Sequence, residues 1–579
     1  MKDNVYKTLT TPYSDNLDTV SPWNIYPRPQ LVRDSFLSLN GSWDFEITET
    51  DAIPDNYSKK ILVPFPPESL LSGIEKRIPK NSYLAYRRFF TLPEGFVKKS
   101  VILHFGAVDQ RCKVYVNGKQ VGKNVGGYLP FSFDITDALT DGENEITVIA
   151  RDCLCKNLPY GKQKDKRGGM WYTPVSGIWQ TVWIESLPEK PILSLKIEQN
   201  DKNAKITVNS EAETKRLTLL DSGKTYDFSD NSIVIEPDEA HTWTPDDPYL
   251  YRFTVETDSD RVESYFALRS LEIKTVAGKS RMCLNGKPFF FSALLDQGYF
   301  PDGIFLPATP DGYRDDILLA KRLGFNTLRK HIKIEPMVFY YLCDVLGMVV
   351  FQDMVNNSTY SFILDTALPT IGFKKFISSF RHRNKKRREI FISQMKKTAE
   401  LLYNTPSVCL YTIFNEGWGE FEPDAAYRLL KEIDSSRFID ATSGWFYSKD
   451  SDLDSRHIYF KIPTVKKPNG RPYFLSEFGG FSLRIDGHLF GKKNYGYSIY
   501  PDKNSFTEAV RALFVDGTAP LIEDGLSAIV YTQLSDVEDE TNGLITYDRR
   551  VVKIDEDVMR EANECLYKTF DVATREDTV

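Results

Sequence analysis

Apolar and polar residues alternate with a period of two in short runs from about Trp43 to Glu185: SWDFEI, YRRFFTL, VILHFGAV, CKVYVNG, FSFDITDAL, EITVIARD and TVWIE. A strand sends successive side chains to opposite faces, so this rhythm predicts β-structure with one face buried. Asn117-Gly118, between VYV and KQV, predicts a two-residue hairpin turn, because both central residues of a type I′ turn need positive φ. The stretch reads as an all-β jelly-roll sandwich over residues 1-187. A second series follows between Lys190 and Lys274 (ILSLKIEQ, KITVNS, RLTLLD, SIVIEP, YRFTVETD and ESYFALRSLEI). Its length suits an immunoglobulin-like β-sandwich over residues 188-274. Beyond Ala277 the rhythm changes. Apolar runs of strand length (FFFSALLD, NTLRKHI, MVVFQDM, SVCLYTIFNE, RFIDATSG, HIYF, PYFLSEFG and SAIVYTQLSD) are interleaved with segments such as GYRDDILLAKRLG and REIFISQMKKTAELLYN. In those segments apolar residues recur at three and four, the spacing of a helix face. Eight strands with crossover helices predict a (β/α)8 TIM barrel over residues 275-579.

Composition narrows the class without changing this picture. With 579 residues, 41% hydrophobic and 26% charged, the chain is long enough for several folded units and has no disordered or fibrous bias. A net charge of -7 argues against nucleic acid as the main partner, since phosphate binding needs a basic surface. The basic run RHRNKKRREI, Arg381 to Ile390, abuts a helical pattern and reads as a solvated loop and helix start. Seven cysteines lack any zinc or disulfide spacing and read as reduced thiols. MKDNVYKTLTTPYSDN has no apolar signal core, and no run approaches the ~20 apolar residues that cross a membrane. The expectation is a cytoplasmic chain with no membrane partner; oligomeric state is not legible.

Reacting groups of a TIM barrel sit at the C-terminal ends of its strands. The fourth predicted strand stays apolar until Asn415-Glu416-Gly417-Trp418, and the seventh delivers Glu477 before Gly479-Gly480. Strands four and seven bring these glutamates together across the mouth. Two facing carboxyls are what glycoside hydrolysis requires: one protonates the leaving oxygen, and the other attacks the anomeric carbon when they stand ~5–5.5 Å apart. That separation is expected here. Other strand ends offer Arg329 and His331 after the second strand, Asp353 after the third, Trp445 after the fifth, and His457 with Tyr459 around the sixth. Gln533 at the eighth is a weaker candidate.

At these residues the sequence resembles glycoside hydrolase family 2, which holds β-galactosidases, β-glucuronidases and β-mannosidases. LNGSWDF, VYVNGKQVG, SGIWQTVWIE and WTPDDPYLY resemble its landmarks in the two β-domains, and NTLRKHI, PSVCLYTIFNEGWG and PYFLSEFGG those of its barrel. The resemblance implies a retaining exo-β-glycosidase working through a covalent glycosyl-enzyme, with Glu416 as acid/base, Glu477 as nucleophile and Asn415 on the 2-hydroxyl. Arg329, on this reading, bridges to Glu477. The implied substrate is a terminal β-linked sugar, galactose first; a β-uronide or β-mannoside is the alternative, and a carbohydrate-binding protein without catalysis stands as the reading from another class. FSALLDQGYFPDG departs from the β-galactosidase pattern, which makes Asp296 and Gln297 candidates for reading hydroxyls. Asn-x-Lys-Gly, the family's carboxylate-reading signature, is missing, leaving Arg484, Lys492 and Lys493 as candidates for a uronate. The residues call for no cofactor and no metal; a divalent or sodium ion is implied by the resemblance alone.

Overall fold

The computed structural model describes residues 9–370, 382–459, 463–464 and 469–575. The N-terminal sandwich packs a six-stranded antiparallel sheet against a four-stranded one. The six run in the order Lys59–Val63, Gly41–Thr48, Tyr83–Thr91, Glu143–Arg151, Arg111–Val116 and Lys119–Val125. Alternation does the folding: along Arg111–Val116 the buried residues are Cys112, Val114 and Val116, and they join Trp43, Phe45, Tyr86 and Val148 in one apolar core. The Asn117-Gly118 turn closes its hairpin with φ of 49° and 78°, as the turn chemistry requires. The next sandwich pairs a three-stranded with a four-stranded antiparallel sheet between Ser194 and Phe266. Trp243 leaves it for the barrel, where its Nε1 donates to the Asp344 carbonyl at 2.8 Å. The hairpin Leu271–Val276 with Lys279–Leu284 spans the point where one unit was expected to give way to the next.

Eight parallel strands then form the barrel: β1 (Phe291–Asp296), β2 (Thr327–Lys330), β3 (Val349–Asp353), β4 (Val408–Phe414), β5 (Phe438–Thr442), β6 (Asp454–Ile458), β7 (Tyr473–Gly479) and β8 (Leu526–Thr532). Their order is β5-β4-β3-β2-β1-β8-β7-β6, so the sheet is closed except between β5 and β6. Every residue of β4, β7 and β8 is buried, the continuous pattern of strands covered on both faces. Phe291, Phe351, Cys409, Phe474 and Val530 fill the lower interior. The sixth strand begins three residues earlier than HIYF suggests and stops at Ile458, so Tyr459 stands past its end; Phe460 lies outside the described residues. The basic run opens helix Lys385–Leu402, where Asn384 caps by accepting from Arg387 N at 3.0 Å, while Arg381 lies outside the described residues. All seven cysteines are free, and among the described residues no helix is long and apolar enough to cross a membrane.

A long loop, residues 152–176, joins two strands of the first sandwich and lies over the barrel mouth. Tyr160 Oη donates to the Ser358 carbonyl at 2.6 Å, Thr173 N to Glu538 Oε1 at 2.7 Å, and the Tyr172 hydroxyl to Glu540. Its partner across the mouth is the buried segment that follows β8. The cavity beneath is therefore walled by two units of the chain.

Candidate active site

The mouth encloses a cavity of about 550 Å³ that Glu416 and Glu477 both line. Glu416 sits two residues past β4 with φ of 52°, in the left-handed region, followed by Gly417 at 67°. This turn cannot relax toward an ordinary side chain, since a Cβ on Gly417 would meet the Phe446 ring at 2.3 Å. Glu477 belongs to β7 itself, where the pairing register shifts on both sides of the strand near Leu475 and His457. Such irregularities re-aim side chains at barrel rims. The two glutamates meet at His457. Its Nδ1 lies 2.9 Å from Glu416 Oε1 and 3.5 Å from Glu477 Oε2, and one ligand-type atom from each of the three lies within 4.8 Å of the others.

Glu477 is the better supported of the pair. Arg329 Nη1 donates to its Oε1 at 3.2 Å and Tyr459 Oη to its Oε2 at 2.6 Å. Burial opposes its ionisation, but the charges of His457, Arg329 and His331 and the Tyr459 hydroxyl outweigh that and hold the carboxyl below the usual range. Arg329 is fully buried and branches further: Nε to Asp353 Oδ1 at 3.0 Å, Nη1 to the Ser476 carbonyl at 2.8 Å, Nη2 to Asn415 Oδ1 at 3.0 Å. A buried guanidinium is stable only with its fork this fully used. Ser443 also donates to Asn415 Oδ1 at 2.7 Å, so the amide oxygen is committed and its Nδ2 is left to donate into the cavity. His331 Nδ1 stands 2.6 Å from Asp353 Oδ2, and burial lowers the ring's proton affinity despite that carboxylate.

Of the residues singled out from sequence, Asn415, Glu416, Glu477, His331, Gln297, Trp445, His457 and Tyr459 line the cavity. Arg329 and Asp353 stand behind this wall. Asp296 is committed elsewhere, with Oδ2 2.5 Å from Lys330 Nζ and Oδ1 accepting from Gly298 N at 2.8 Å, whereas its neighbour Gln297 lines the cavity. Gln533 points away and donates to Asn542 at 2.7 Å. Arg484, Lys492 and Lys493 do not line the cavity; Arg484 leans on the Lys492 carbonyl at 3.4 Å near the surface.

Sequence reasoning missed Lys162 and Met170 from the sandwich loop, Tyr495 and Tyr497 from the loop after β7, and Glu540 after β8, all of which line the cavity. Burial raises the Glu540 carboxyl, with the Tyr172 hydroxyl, Lys162 and Asn542 opposing. The acid-rich SDVEDETNG directly behind a barrel strand was the available signal for Glu540. Nothing local marks Lys162.

Glu416, His457 and Glu477 also form the one cluster of metal-ligand type among the described residues. The divalent or sodium ions implied by the resemblance prefer a shell of oxygens. Here one donor is an imidazole nitrogen already bonded to Glu416, and the other two are the paired carboxylates themselves. A resident ion would have to replace the imidazole's contact with Glu416 and take a nitrogen donor in place of oxygen, so the set does not fit such a cofactor.

A parallel barrel that aims two glutamates into one closed-off cavity defines a protein equipped for acid–base and nucleophilic chemistry on a bound ligand. Residues 73–188 match "Glycosyl hydrolases family 2, sugar binding domain", residues 184–269 "Glycosyl hydrolases family 2", and residues 277–467 "Glycosyl hydrolases family 2, TIM barrel domain". The chain belongs to glycoside hydrolase family 2. Among its relatives, a β-galactosidase of Thermoanaerobacter pseudethanolicus is 28% identical over 46% of this chain and 39% of its own length. Another, from Pseudoalteromonas haloplanktis, is 24% identical over 76% of this chain and 45% of its own. The chain thus spans less than half of the length of these curated relatives. The solved β-D-glucuronidase of Dictyoglomus thermophilum superposes with a TM-score of 0.73 at 19% identity, covering 94% of this chain and 98% of that one, a likeness of fold.

Proposed function

We propose that the chain is a retaining exo-β-glycosidase that removes a terminal β-linked sugar, galactose foremost, by double displacement. The carrying observation is the Glu416–His457–Glu477 cluster, in which one ligand-type atom from each residue lies within 4.8 Å of the others, short of the ~6.5–9.5 Å left for water in inverting enzymes. In the first step the Glu477 carboxylate attacks the anomeric carbon while Glu416 gives its proton to the leaving oxygen. The glycosidic C–O bond breaks and an ester to Glu477 forms. In the second step Glu416 takes a proton from water, whose oxygen displaces Glu477 and restores both groups. Asn415 Nδ2 donates to the 2-hydroxyl, a contact that strengthens as positive charge grows on the ring. Arg329 and Tyr459 keep Glu477 anionic for attack. The pocket shape, with a roof supplied by the sandwich loop, suits a chain end rather than an internal unit.

A β-uronide is the second reading, favoured by the solved β-glucuronidases that share the fold over nearly their whole length. Incubation with a 2-deoxy-2-fluoro β-glycoside carrying a good leaving group, followed by peptide mass spectrometry, tests the shared mechanism. The label is expected on the peptide containing PYFLSEFGG. A label on another peptide removes Glu477 as nucleophile, and the absence of both label and turnover favours a carbohydrate-binding protein.

A further inference from the structure

Three charged residues that line the cavity, Lys162, Arg456 and Glu540, are unused by the chemistry above. Lys162, from the sandwich loop, is 8% exposed, and among the described residues its Nζ has no hydrogen-bond or ion-pair partner; the nearest aromatic face, Trp171, is 5.7 Å away. An ammonium group this buried is costly unless something accepts its protons. Glu540, from the segment after β8, is 5% exposed. Its two oxygens each accept one protein donor, the Tyr172 hydroxyl and Asn542 Nδ2 at 3.1 Å, and a carboxylate has room for more. Both residues line the cavity shared by Glu416 and Glu477. Each comes from a different unit of the chain, and Tyr172 ties the two walls together.

A donor and an acceptor that line one cavity, near enough for the Lys162 charge to act on Glu540 but not in ion-pair contact, match a pair of neighbouring hydroxyls, one accepting from the ammonium and the other donating to the carboxylate. They do not match a uronate. A uronate would bring a further carboxylate into a cavity that Glu416, Glu477 and Glu540 already line, against a single unpaired lysine. Besides His331 and His457, which face Asp353 and the glutamate pair, the other basic side chain lining the cavity is Arg456, whose Nη2 is paired with Asp454 at 2.8 Å and whose unpartnered Nε is buried away from the cavity space. Resting on the glycosidase reading, we propose that Lys162 and Glu540 are the specificity determinants of the sugar site. They select an uncharged sugar by reading two adjacent hydroxyls and reject uronides through Glu540.

The test compares the full chain with Glu540→Gln and Lys162→Met on nitrophenyl β-glycosides of neutral sugars, on the corresponding uronides, and on monodeoxy versions of the best neutral substrate. The wild type is expected to favour neutral glycosides by about 100-fold or more in kcat/KM, since a buried like-charge contact is costly. Glu540→Gln is expected to lose about 10- to 100-fold on the neutral substrate, the worth of a charged hydrogen bond, and to narrow the neutral-to-uronide ratio at least tenfold. Removing the hydroxyl that Glu540 reads should hurt the wild type and add little to the loss in Glu540→Gln, a coupling that a folding defect would not produce. Lys162→Met should show the same coupling with the adjacent hydroxyl. Equal or better turnover of uronides by the wild type, or an unchanged ratio in both variants, overturns this assignment while leaving the glycosidase reading intact. No turnover of either class and no fluoroglycoside label overturns that reading and this one with it.

Discussion

Glu477 keeps its charge inside a cavity that would otherwise neutralise it. The supports differ in kind: Arg329 supplies a fixed positive charge, and Tyr459 a hydroxyl that donates to the carboxylate at 2.6 Å and also meets Thr532 Oγ1 at 3.0 Å. Replacing Tyr459 with Phe removes a hydrogen bond to a charged acceptor, worth ~1.5–3 kcal/mol, without touching the salt bridge. The carboxyl then rises, and the acid limb of kcat/KM, which follows ionisation of the nucleophile in the free protein, should move to higher pH by about one unit. A pH–rate profile measured against the wild type checks this. An unmoved acid limb would show that the limb does not report Glu477. At this scale the pair of glutamates that shares the cavity was legible because each interrupts an apolar run at the end of a barrel strand. Asp296 shows the limit of the same reasoning: it also ends a strand, yet Lys330, its register partner at the end of the neighbouring strand, captures it.

The loop of residues 152–176 covers a group of acids, Asp109 and Asp152 buried and Glu68 half-buried. Glu68, whose oxygens accept from Ser176 N at 3.0 Å and Oγ at 2.7 Å, is pushed by burial up to about 8, and Asp152 by burial to about 7. Asp109 beside them is raised as well, with its Oδ1 unpartnered. A carboxyl raised on folding binds its proton more tightly in the folded chain, so its contribution is complete below about pH 4.5 and is lost as pH climbs toward 8. Glu68→Gln carries no such dependence. Its Tm relative to wild type should therefore increase steadily between pH 5 and pH 8.5, by several degrees in total, whatever its offset at pH 5. Thermal melts across that range decide it, and a constant difference would mean that Glu68 does not titrate. Elements of this kind explain what the pattern of residues could and could not convey. The strands were readable because alternation and continuous apolar runs are local consequences of which faces are buried. The loop was not, because KNLPYGKQKDKRGGMWYTPV has no period; its order comes from Ser358, Glu538 and Glu540, all hundreds of residues away.

Across the whole molecule, the sandwich completes the cavity rather than merely flanking the barrel. Arg167 is the charged link in that closure: its Nη1 lies 3.3 Å from Glu538 and 3.2 Å from Asp539, and its guanidinium packs over the Phe490 ring at 4.7 Å. Glu538 is buried and raised by that burial, with Arg167 as the largest opposing influence. Taking the arginine away leaves two acids facing each other beneath the loop, the costly arrangement in which one partner of a buried pair is removed. The loop relieves it by lifting, and lifting withdraws Lys162 and Met170 from the cavity while the glutamate pair on β4 and β7 stays in place. Arg167→Ala should accordingly raise KM about tenfold or more with a smaller change in kcat, and hydrogen exchange should quicken across residues 160–176. Arg167→Lys, which keeps the charge, should recover part of the loss. If exchange in the loop is unchanged while kcat falls, the two walls are not coupled through this contact, and the roof must be held by Tyr160, Tyr172 and Thr173.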